Sequence, residues 1–200
     1  MASILDFLDT EKGKDFVGKA AGQLGESPDK IKTALATGLP MILGGMKKNA
    51  KTPEGAAELN RALEDQKHDG SILDSLGGGG GLGSLMSEGS GILQHVFGGK
   101  QQKVEEAIGA TSGMDSSKIS QLLKMAAPVI MGLLGNQKRK DNVSQGGIGD
   151  LLGSVMGSNS SHDQSMLESF LDKDGDGNIA NDMGKMFKGK GGIKGLGDLF

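Results

Sequence analysis

Near the C-terminus, Asp172-Lys173-Asp174-Gly175-Asp176-Gly177-Asn178 sets three carboxylates on alternate residues, with glycine in the sixth place. Calcium is a hard cation that gathers roughly six to eight oxygen ligands, and this spacing is the first half of an EF-hand loop, where the glycine permits a sharp turn. Asp172, Asp174 and Asp176 then fall at the first, third and fifth positions, Asn178 offers its backbone carbonyl at the seventh, and Ile179 is the usual apolar eighth residue. The twelfth position, which should carry a bidentate glutamate, is Met183, and Asp182 stands one residue earlier. Either Asp182 ligates through a tightened exit turn, or the site is incomplete. The competing reading is an ordinary Asp/Gly turn that binds nothing. Against it, three carboxylates so close together repel one another unless a cation joins them. Lacking the glutamate anchor and a second loop to pair with, the site is expected to bind calcium weakly, with a dissociation constant on the order of 10⁻⁴ M.

The other candidate motifs fail on spacing. Gly98-Gly99-Lys100 has Gln94 where the first glycine of a phosphate loop belongs and Gln101 where Ser or Thr belongs, so these glycines read as a helix end. His68, His95 and His162 are scattered, with neither a zinc-protease HExxH nor a GxSxG nucleophile elbow. His95, on the Leu93–Phe97 stretch, reads as a packed or surface residue. With no cysteine there is no disulfide, thiolate metal site or cysteine nucleophile. A formal charge of -3 supplies no field for a nucleic-acid backbone, and aromatics at 3% leave few platforms for stacking bases.

The elements that must position the loop are helical. Met166, Leu167, Phe170 and Leu171 precede it as one apolar stripe, and Ile179, Met183, Met186 and Phe187 follow it as another, which predicts a helix-loop-helix over 164–188. Upstream, Phe16, Val17, Ala20 and Leu24 share a helix face that Gly25 ends. Ser27-Pro28 and Thr52-Pro53 each place an N-cap before a proline at the first helical position. The glycines at 77–81, followed by Gly83, Gly89 and Gly91, predict a flexible connector, with order resuming at Ile92. A long helix is predicted from about Ser116 to Lys140 and a short one over Ile148 to Met156. No stretch alternates with period two for long enough to argue a strand.

A repeat organises this body. Pro40 and Pro128 stand 88 positions apart, and the same offset pairs Gly25 with Gly113, Lys30 with Lys118, Ile31 with Ile119, Leu35 with Leu123, Ile42 with Ile130 and Gly44 with Gly132. Each copy has a capped start, an amphipathic stretch, a proline amid apolar residues and a glycine four residues later. A proline inside a helix removes one hydrogen bond and crowds the preceding turn, at about 3 kcal/mol, so the copies are expected either to kink or to break at that point.

The apolar-Pro-apolar segments, the stretch ILQHVFGGKQQKVEEAI and the stretch SGMDSSKISQLLKMAAPVIMGLLGNQK resemble the bacterial YidB-like family, a domain of unknown function, over roughly residues 4 to 157. The resemblance implies a helical bacterial protein and carries over no activity, substrate or catalytic residue.

The expected organisation is an all-α, internally duplicated domain with kinked helices and Gly-rich connectors over 1–157, a linker at 158–163, the loop with its flanking helices at 164–188 and a flexible Gly/Lys tail at 189–200. The apolar stretch Leu122 to Leu134, interrupted by Lys124 and Pro128, falls short of the roughly 20 residues of a membrane-spanning helix. The N-terminus lacks the basic and apolar regions of a secretory signal, which places the chain in the cytoplasm by default. Lys138-Arg139-Lys140 ends the second proline helix, where positive charge favours the helix dipole and a partner site is a secondary reading. The functional expectation is a non-enzymatic binding or scaffold protein with a weak calcium loop, acting on an unknown protein partner. The alternative is a structural, self-associating protein whose acidic loop is only a turn.

Overall fold

Proline at the first helical position, a hydroxyl before it and glycine after the last turn are the punctuation of this chain, and the computed structural model, which describes residues 3–72 and 82–157, follows it closely. Helix α1 spans Glu11–Leu24, α2 Pro28–Asn49, α3 Pro53–Glu64, α4 Leu82–Phe97, α5 Gln101–Ser112, α6 Ser116–Lys140 and α7 Ile148–Val155, with short 3-10 turns between several of them and no strand among the described residues. The fold is all-α. Ser27 and Thr52 cap α2 and α3 by accepting from the amides of Lys30 and Gly55. Gly25 and Gly113 end α1 and α5 in the left-handed region, at φ 62° and 66°, and their amides bond to Ala21 and Gly109. The expected cap of α6 differs: Asp115 makes no side-chain bond to its first turn. Residues Met1–Met156 form one compact unit. The calcium-type loop, its flanking helices, the linker at 158–163 and the tail at 189–200 lie outside the described residues.

Between Leu122 and Leu134 helix α6 carries Lys124 as its one charged residue and apolar residues around the rest of its circumference, so no single stripe can satisfy it and it must be surrounded. It packs against α1, α2, α3, α4, α5 and α7. Among the described helices it is the one long and apolar enough to cross a membrane by length and composition, yet 72% of its most apolar window is buried inside this body. Ile119, Leu122, Leu123 and Ile130 are fully enclosed, as are Ile31, Leu35 and Ile42 of α2.

Neither proline breaks its helix. Pro40 lies within α2 and Pro128 within α6, both of which continue on either side. The missing N–H of Pro128 leaves the carbonyl of Lys124, one turn earlier, without a helical donor. Helix α4 covers that oxygen at Gly89, where a Cβ would stand only 1.8 Å from it. This contact corrects the expectation of a connector lasting to Gly91. Gly83, Gly89 and Gly91 belong to a helix that begins at Leu82, because a glycine can be required where two helices meet backbone to backbone.

At the α1–α2 corner, Glu26 receives Lys118 at 2.7 Å and Lys30 at 3.1 Å, so lysines 88 positions apart converge on one carboxylate. The hydrogen bond from Lys118, followed by that from Lys30, holds the Glu26 carboxyl below its ordinary value of 4.5.

Leu123→Ala, at a fully enclosed site, should destabilise by about 2–5 kcal/mol in urea unfolding, and Gly89→Ala should also destabilise although alanine is the better helix former. A Gly89→Ala protein more stable than wild type would contradict the α4–α6 contact. For Glu26, a depressed carboxyl contributes stability above its unfolded value that is lost as pH falls through the folded one. The stability gap between wild type and Glu26→Gln should therefore be constant above pH 4.5 and narrow below it. A gap independent of pH would show that the lysines do not hold this carboxylate.

Candidate functional site

Asp172, Asp174, Asp176, Asn178 and Asp182 lie outside the described residues. Among the described residues, no three His, Asp or Glu side chains gather as a metal site would require. Gly98, at φ 53°, ends α4 and opens a 3-10 turn through Lys100, in keeping with a helix end rather than a phosphate loop. The structure instead brings together side chains that the sequence did not single out.

Helices α3 and α4 run antiparallel on the two sides of a cleft of about 570 Å³. Their directions follow from the contacts at each end. At one end, Asn49 at the close of α2 donates its side-chain amide to the His95 carbonyl of α4 at 2.7 Å, while its own carbonyl lies against Gly55 of α3. At the other, the His68 ring reaches the Ala62 carbonyl of α3 at 2.6 Å and Glu88 of α4 at 3.0 Å. The wall between these two bridges is seven residues on either helix, or about 10 Å at 1.5 Å per residue. Met46 of α2 and Met131 of α6, both buried, take part in the lining with the half-exposed Leu59, Ala62, Ile92 and Val96. Glu58, Arg61, Glu88 and His95 supply the polar part of the lining. His95 is therefore a surface residue beside a cleft.

A family model described as a bacterial protein of unknown function (DUF937) matches residues 6–137. The chain belongs to this family. The YidB-like resemblance of the sequence is this same DUF937 family. No curated protein and no solved structure matches the chain. The DUF937 match takes in both walls of the cleft and all but the last turn of α6, and ends before α7.

The closed end of the cleft at His68 is assembled by α6, partly by residues just past the end of the DUF937 match. A carbonyl can only accept, so His68 Nδ1 donates to Ala62, and Nε2 faces the Glu88 carboxylate at 3.0 Å without the alignment of a hydrogen bond. Both ring nitrogens are thereby turned to acceptors within the fold. Arg139 donates one guanidinium nitrogen to the Leu63 carbonyl at 3.0 Å and the other to the His68 carbonyl. Asn136 donates to the Asp69 carbonyl at 3.3 Å, and Gly135 lies so close to the His68 carbonyl that a Cβ would stand 2.0 Å away. Lys138, itself buried, meets Glu64 at 3.0 Å and, with Asn60, keeps that carboxyl below its usual range. Lys138 and Arg139 stand in the last turn of α6, as the helix-dipole reading expected, and also tie the end of α3 to α6.

Arg139→Met should thus destabilise the protein by about 1.5–3 kcal/mol, the usual range for a hydrogen bond to a charged group, with the earliest loss of amide protection in residues 65–70. Unchanged exchange in that turn would show that Arg139 does not hold it.

Proposed function

We propose that this chain is a non-enzymatic binding protein whose helical body accepts a ligand in the cleft between α3 and α4, and whose C-terminal acidic loop binds calcium weakly. One observation carries the first part: the cleft, of about 570 Å³ and with Met46, Leu59, Ile92, Val96 and Met131 in its lining, has the size and apolar character of sites that hold small ligands. The bridging groups support a holding role, since His68 is turned to Ala62 and Glu88 rather than to the open space. A net charge of -3 argues for a partner other than nucleic acid.

The same reading treats α1–α2 and α5–α6 as copies of one unit. It is supported by Ile31, Leu35 and Ile42 being as fully buried as Ile119, Leu123 and Ile130, and by the matching left-handed turns at Gly25 and Gly113.

The calcium part rests on sequence. Asp172, Asp174 and Asp176 would supply carboxylates, Asn178 a carbonyl, and Asp182 a further carboxylate if the exit turn tightens. Calorimetry at millimolar calcium should show binding with a dissociation constant on the order of 10⁻⁴ M, magnesium competing poorly because it demands a stricter octahedron. Replacing Asp174 and Asp176 together with alanine should abolish the heat. Absence of heat in wild type, or its persistence in the double variant, would leave the loop an ordinary turn.

A further inference from the structure

The cleft has a definite length. Asn49 bridges α2 to α4 at one end, and His68 bridges α3 to α4 at the other, so the space is a trough closed at both ends after about 10 Å, two helical turns. A partner helix laid along the trough would have to climb over both bridges. A compact molecule lies between them.

Charge limits the occupant further. Glu58 and Glu88 bring negative charge to the lining, Arg61 brings positive charge, and His68 already faces Glu88. Glu58 and Arg61, one turn apart on α3, form no ion pair among the described residues, and neither sign is gathered at one end. Against such a lining, a charged head gains no concentrated countercharge and still loses its hydration. Water gains little there too, because apolar side chains offer it no hydrogen bonds.

Gly91 points the same way. It lies in the cleft-facing part of α4, and a Cβ built on it meets no atom within 4 Å. Unlike Gly89, whose Cβ would strike a backbone oxygen, Gly91 is not demanded by packing. Its lack of a side chain leaves the trough open.

We propose that the trough between α3 and α4 binds a small, uncharged, apolar molecule about two helical turns long, of the size of a medium-chain alkyl group. The inference rests on the binding-protein reading and deepens it by naming the ligand class.

The test uses the full chain and the neutral dye Nile red, with decanol, decanoate and decylamine as competitors. The dye should bind saturably and be displaced by decanol at least as well as by either charged analogue. Gly91→Leu fills the trough and should weaken dye binding by about tenfold or more, with no fall in melting temperature because leucine is the better helix former. Gly18→Leu, on the exposed face of α1 where a Cβ also meets open space, should bind as wild type does. Unaltered binding by Gly91→Leu, or a charged analogue preferred by about tenfold, would overturn the proposal. A leucine-lysine amphipathic peptide that displaces the dye more tightly than decanol would overturn it too, while leaving the binding-protein reading in place. No binding of dye or peptide would remove both.

Discussion

Enclosing α6 on every side is the constraint on which the other helices depend. A helix of 25 residues so largely apolar from Leu122 to Leu134 cannot rest on one neighbour, and the chain meets the need with six helices around it, α1 to α5 and α7. With 3% aromatic residues, the core is filled mainly by Leu, Ile, Ala, Val and Met, with Phe16 as its largest enclosed side chain, and these pack at short range and reward close approach. Glycine serves that approach. Where Pro128 leaves the Lys124 carbonyl unpaired in its own helix, Gly89 lets α4 settle directly upon it. The proline and the glycine are thus two halves of one contact, although 39 positions separate them in sequence.

The cleft is a by-product of how its walls are attached. Helix α4 is seated through Gly89 on the middle of α6, whereas α3 is held at its far end by Lys138 and Arg139. Fixed at different places on the same central helix, the two walls are bridged at the ends by Asn49 and the His68 turn. Half-buried Leu59 and Ile92 accordingly line a gap rather than a closed seam. Binding in such a gap would draw on the same apolar side chains that face the core elsewhere, so stability and ligand capacity share one source.

Much of the fold was legible in the sequence, because helix starts and core faces are local. Ser27-Pro28 and Thr52-Pro53 announced their helices, Gly25 the end of α1, and Phe16, Val17, Ala20 and Leu24 its buried face. The start of α4 was not legible: a glycine-rich stretch reads as a connector by intrinsic preference, and only the Lys124 oxygen explains why Gly89 belongs in a helix. The prolines left two readings open, and tertiary packing on both sides of each decided for continuity. The cleft could not be read at all, since Leu59, Ile92 and Met131 are unremarkable apolar residues until three helices bring them together. The roles of Lys138 and Arg139 were hidden for the same reason, their acceptors being carbonyls and a carboxylate about 70 residues upstream. The acidic loop is the converse case: its calcium reading comes from spacing alone, without the glutamate of the twelfth position.

The most direct test of α6 as the centre of the structure is native-state hydrogen exchange resolved by residue. Amides that open only on global unfolding mark the elements on which the rest depends, while attached elements exchange through smaller openings. The slowest exchange should fall in α6 between Leu122 and Leu134, with α3 and α4 less protected. Amides of α6 that exchange as fast as those of α3 or α4 would contradict it.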